Sequence, residues 1–136
     1  MKTIRLKLLS YGKHNSQILT GFQMLNKNHP NEYSLIISDE RKANSPGKYD
    51  IPLIAEVEYN GKKIIYDTAD GYFEGIERWC EDCDVYFKRS FSPQKTNALS
   101  ADIAKKIYPL GFNYSVFYPG NIYADSSNAG KRVPAW

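Results

Sequence analysis

Cysteine is scarce in this chain of 136 residues: only Cys80 and Cys83 are present. Two thiols so close together cannot frame a disulfide-stapled domain, and nothing else in the sequence asks for an oxidising compartment. Histidine is equally sparse, with His14 and His29 both far upstream of the cysteines, so no four-ligand zinc set is spelled out. No apolar run approaches the roughly 18 residues that read as a membrane span. The opening MKTIRLKLLS breaks its apolar residues with charge, so a first strand is expected there instead of a secretory leader, and with it a cytoplasmic location. Neither G-x-x-x-x-G-K-S/T nor G-x-G-x-x-G occurs, which leaves nucleotide binding by this chain alone unsupported and no cofactor expected. The net charge of +3 comes without a dense Lys/Arg run, so no nucleic-acid partner is expected. No internal repeat or low-complexity segment occurs.

Tyrosine is what the chain has in excess. Its 11 tyrosines, within 14% aromatics, supply flat amphipathic surfaces that stack on sugars as well as filling core edges. The strongest local signal is Asn60-Gly61, because both central positions of a tight hairpin turn require positive φ, which these two residues tolerate best. It predicts a hairpin with strands over Leu53 to Tyr59 and Lys62 to Tyr66, delivering the chain to Asp67-Thr68-Ala69-Asp70-Gly71.

Around that hairpin the periodicities alternate. Ile4-Arg5-Leu6-Lys7-Leu8 has the period of a half-buried strand. Asn15 or Ser16 can cap a helix carrying Ile18, Leu19, Phe22 and Leu25, and Tyr33 to Ser38 reads as a buried strand. Asp39 to Asp50 reads as an exposed loop. Phe73, Ile76, Trp79 and Cys80 share one helical face, and Asp84 to Ser90 returns to strand character. Thr96 or Asn97 can cap a further helix with Leu99, Ile103 and Ile107 as its stripe, ended by Pro109, and a short strand lies near Tyr108 to Leu110.

This order predicts an α/β domain over residues 1–123, Rossmann-like and three-layered, with a mainly parallel sheet and an added β-hairpin, followed by an irregular tail over 124–136. Ile4 to Leu8, Tyr33 to Ile37 and Val85 to Phe87 are expected to be neighbouring central strands.

The phrases IIYDTADGY, DVYFKRSFS and KKIYPLGFNY together resemble the N-terminal half of bacterial GT-B-type glycosyltransferases of surface-polysaccharide gene clusters, over roughly Lys2 to Asn121. The resemblance implies a domain that binds a glycan or lipid-linked sugar acceptor, facing a second domain that binds the sugar nucleotide. That donor-binding half lies outside these residues, so the chain by itself is expected to be inactive. Contact with the inner face of a membrane goes with a lipid-linked acceptor, and pairing of two copies through Phe112 to Tyr123 is expected where the second domain does not cover them. The alternative is a non-enzymatic α/β interaction module whose exposed aromatics bind a partner protein.

Sugar transfer of this kind requires a base for the acceptor hydroxyl, and Asp67, Asp70 and His14 are the candidates, at loops expected on the sheet's C-terminal edge. Each has a structural alternative: a helix N-cap for Asp70, a turn-stabilising hydrogen bond for Asp67, and a solvated loop position for His14. Gly12, Tyr72, Lys88 and Arg89 are the candidate acceptor contacts, the two cations through charge-assisted bonds to a phosphate. Trp79-Cys80-Glu81-Asp82-Cys83 has a thioredoxin-like phrase in reversed context: it closes a helix instead of opening one, so buried structural cysteines are expected.

Overall fold

A computed structural model describes residues 1–10, 12–41, 54–72 and 75–111. The elements run β1 (Lys2–Leu8), α1 (Asn15–Asn28), β2 (Tyr33–Asp39), β3 (Ile54–Tyr59), β4 (Lys62–Asp67), α2 (Ile76–Glu81), β5 (Val85–Lys88), α3 (Pro93–Asn97), α4 (Ala101–Ala104) and β6 (Ile107–Pro109). They form an α/β structure around one six-stranded mixed sheet in the order β2-β1-β3-β4-β5-β6.

Three of its five pairings are parallel, and β3 alone runs against the other strands. The sharp turn that reverses it has Asn60 at φ 52° and Gly61 at φ 73°, the left-handed values that a two-residue hairpin demands.

Strand alternation splits the core into two layers. On one face Ile4, Leu6, Leu8, Ala55 and Val57 pack against Ile18 and Leu19 of α1, with Phe22, Ile64 and Tyr66 at the margin. On the other, Ile54, Ile65, Tyr86 and Ile107 pack against Ile76, Cys80 and Ile103 of the later helices. Arg5 and Lys7 alternate with the buried positions of β1 and stay exposed, as their spacing predicts. Lys7 lies 3.5 Å from Glu56 on the neighbouring strand.

Several expectations are corrected. Val85–Lys88 is not a neighbour of β1, because the β3–β4 hairpin is inserted at the middle of the sheet. Nor is β2 a buried central strand: it forms one edge, with Ile36 and Ile37 left 43% and 39% exposed. In place of the single helix expected after a Thr96 or Asn97 cap, with Leu99, Ile103 and Ile107 as its stripe, there are two short ones, begun by Ser92 and Ser100; Thr96 and Asn97 lie inside the first, and Ile107 belongs to β6, where Pro109 ends a strand. Ser92 wins the cap because its hydroxyl accepts from Lys95 N at 3.2 Å and Pro93 sits at the helix's first turn. In α1 the N-cap is His14, and both Asn15 and Ser16 are buried inside the helix. Phe73 and the segment Phe112 to Tyr123, with the pairing expected of it, lie outside the described residues, as does the tail 124–136.

Candidate functional site at the carboxyl edge of the sheet

Five strands point the same way, so their carboxyl ends share one edge, and the loops that leave β1, β4 and β5 meet there. Asn15 joins two of these loops. Fully buried, its amide nitrogen donates to Ser10 Oγ at 2.9 Å and to Ile54 O at 3.4 Å, while its oxygen accepts from Thr68 Oγ1 at 2.8 Å. Gly12 and His14 sit half-buried just before it, in the loop that leads into α1.

Asp67 and Lys88 are register partners on adjacent parallel strands. Their side chains are completely buried, 3.6 Å apart from Nζ to Oδ1. Asp67 Oδ2 accepts from Tyr86 OH at 2.6 Å and Oδ1 from the backbone N–H of Ala69 at 2.9 Å. Lys88 Nζ also donates to the carbonyls of Ala69, at 2.6 Å, and Arg89, at 2.9 Å. Two of the three N–H donors of the ammonium are thus taken by carbonyls, with Asp67 Oδ1 at ion-pair distance.

Burial works against both charges. It pushes the Asp67 carboxyl up from the ordinary carboxylate range despite Lys88, Tyr86 and Ala69, and it pulls the Lys88 ammonium down despite Asp67. The Tyr86 phenol is held up by burial and by the Asp67 carboxylate beside it. The triad therefore acts as a brace that fastens the Asp67–Asp70 turn to β5.

The brace leaves other groups at the surface. Asp70 is 81% exposed and is not the N-cap of α2, a position held by Gly75. Its Oδ1 lies 3.3 Å from Arg89 Nη1 and 3.5 Å from Ser90 Oγ. Arg89 is anchored, with Nη1 donating to Thr68 O at 3.3 Å and its backbone N–H to Asp67 O at 2.9 Å. Tyr72 OH accepts from Ser92 N at 2.9 Å and lies 2.6 Å from Thr96 Oγ1, which ties its ring to the start of α3. Lys88 Nζ lies 5.3 Å from the centre of that ring, within cation–π range.

The carboxyl edge thus gathers Asp67, Asp70, Tyr72, Lys88 and Arg89 into one cluster, with Gly12 and His14 on the neighbouring loop. Sequence reasoning missed Tyr86 and the bridging role of Asn15. Tyr86 is the phenol of strand β5 that lies on the same face as Asp67, a relation that no local spacing states. Asn15 shows only cap character in the sequence, which is why its burial was not foreseen.

The cysteines fall at the end of α2 as their context predicts. Both are buried, with Cys83 Sγ 3.5 Å from Cys80 O. The neighbouring Cys83 thiol and burial push the Cys80 thiol up, the bond with Cys80 draws the Cys83 thiol down, and both side chains are enclosed in packing. Among the described residues no group of three or more His, Cys, Asp or Glu side chains is placed to hold a metal ion, and no helix is long and apolar enough to cross a membrane. Comparison with protein families, with curated proteins and with solved structures returned no match for this chain.

Proposed function

We propose that this chain is the acceptor-binding domain of a glycosyltransferase of the GT-B type, one that moves a sugar from a nucleotide-sugar donor held by a second domain onto a glycan or lipid-linked acceptor in the cytoplasm. One observation carries the reading: the carboxyl ends of co-directional strands bring an exposed carboxylate, an anchored guanidinium and an aromatic ring to one edge, the place where open α/β sheets take ligands. Helices on both faces of the sheet support the Rossmann-like reading, and the reversed β3 is its departure from an all-parallel sheet.

On this reading the candidates divide the labour. Asp70 is the carboxylate with access to an acceptor hydroxyl, and proton removal is its role here. Asp67 and Lys88, fully buried and mutually bonded, shape the turn that presents it. Arg89 and Tyr72 are the acceptor contacts, and Gly12 and His14 lie on the loop before α1, which Asn15 ties to Thr68.

The test is an NMR titration of the isotopically labelled chain with neutral glycosides and, separately, with nucleotide sugars. The reading expects glycosides to perturb the amides of Asp70, Tyr72 and Arg89, and the nucleoside part of a nucleotide sugar to add no contact there. Perturbation by neither would overturn it. Two exposed isoleucines on edge strand β2 favour a second reading, a module that binds partner proteins by strand addition. A pull-down partner lost on Ile36→Lys, with no glycoside response, would select that one.

A further inference from the structure

The contact of Asp70 with Arg89 and Ser90 joins an exposed group to an anchored one. Its two partners are unlike. The Arg89 side chain is only 15% exposed and is fixed to the β4 turn, whereas the Asp70 carboxylate is 81% exposed. The separations of 3.3 Å and 3.5 Å exceed the roughly 2.7–2.9 Å of a good charge-assisted bond, so the carboxylate rests loosely between two donors.

Arg89 is also under-used. Its Nε is buried with no hydrogen-bond partner among the described residues, and the Asp70 carboxylate leaves it so. Ser90 adds an independent sign. It adopts φ 53°, a left-handed conformation that a non-glycine residue holds only at some cost, and this places its hydroxyl toward the same carboxylate oxygen. Among the described residues the other non-glycine residue of this kind is Asn60 of the hairpin turn, and Ser90 holds its conformation in the turn that leaves β5 at the sheet edge.

We propose that the position of Asp70 Oδ1, between Arg89 and Ser90, is an oxyanion subsite for a phosphate or pyrophosphate group, and that Asp70 occupies it as an internal competitor. An arriving phosphate is not tethered to the backbone, so it can close on both donors at full hydrogen-bond distance. Its arrival releases the Asp70 carboxylate toward the rest of the edge. Lys88 takes no part, because its side chain is completely buried and holds two carbonyls within the fold. The inference rests on the acceptor reading and narrows it to acceptors that carry a phosphate.

Inorganic pyrophosphate is the probe, titrated by calorimetry and NMR into the full chain at two ionic strengths. Asp70→Asn is expected to tighten its binding by about twofold to fivefold, the scale of losing an exposed ion pair that competes for the site. Arg89→Gln is expected to weaken it by about tenfold or more, with Arg89→Lys recovering part of the loss. Unchanged or weaker binding by Asp70→Asn overturns the proposal, and because Asp70 is exposed that variant stands even where an Arg89 variant does not fold. Pyrophosphate binding without any glycoside response removes the transferase reading and keeps this one; glycoside binding with no pyrophosphate response does the reverse.

Discussion

Lys88 Nζ lies 3.6 Å from Asp67 Oδ1 with both side chains wholly removed from solvent, and the two residues face each other in register across β4 and β5. A buried pair of this kind adds little over a well-packed apolar pair, but removing one member leaves a charge without compensation. Lys88→Met is therefore expected to cost about 3–5 kcal/mol. The double variant Asp67→Asn with Lys88→Met should cost clearly less than the sum of the two single changes. Urea unfolding of the four proteins measures this, and strict additivity would refute the coupling.

The same pair sets a pH dependence. The folded Asp67 carboxyl titrates above the ordinary value of 3.8, so the native state holds that proton where the unfolded chain has lost it. The stability this contributes is fully present below 3.8 and is lost as pH rises through the raised folded value. Lys88 runs the opposite way, from a folded value below 10.5, so its contribution is present above 10.5 and is lost as pH falls through the folded value. Relative to Asp67→Asn, the unaltered protein should gain stability as pH falls from about 7 toward about 4. Denaturant midpoints at those two values decide it; a relative loss would contradict the direction given.

Asn15 fastens the loop after β1 to β3 and to the turn after β4 through three hydrogen bonds. Truncation to Ala removes all three bonds from a fully buried site, so Asn15→Ala should cost about 3 kcal/mol. Amide exchange gives a second readout. Protection should fall at Ser10 and Thr68 together, and a loss confined to α1 would point to a helix effect only.

Gly61 has nothing within 4 Å of the place a Cβ would occupy, yet its φ is 73°. The cost of Gly61→Ala is therefore a backbone cost, about 1–2 kcal/mol for a left-handed alanine. Thermal unfolding tests it, and an unchanged midpoint would mean that the turn rearranges freely.

How far the fold can be read from the sequence depends on how local each determinant is. The alternation of Ile4, Leu6 and Leu8 with Arg5 and Lys7, the Asn60-Gly61 turn and the stripe of α1 all depend on residues within a few positions of one another. Each appears in the structure where the sequence placed it. The candidate cluster was partly legible for the same reason, since Asp67, Asp70, Lys88 and Arg89 stand at strand ends that periodicity marks.

Strand order is a different kind of fact. An apolar run such as Tyr33 to Ser38 looks the same at the centre of a sheet or at its edge, and only the pairing of β3 with β1 sends β2 outward. The fate of the two carboxylates was likewise settled at long range. Asp67 and Asp70 are three residues apart in one turn, but Tyr86 and Lys88 of β5 draw the first into the interior and leave the second in water. Sequence alone determined that this protein is an α/β chain with a central reversing hairpin turn and polar strand ends. Tertiary structure decided which of those polar groups is a brace and which can meet a ligand, because burial and charge compensation depend on neighbours that only the folded chain supplies.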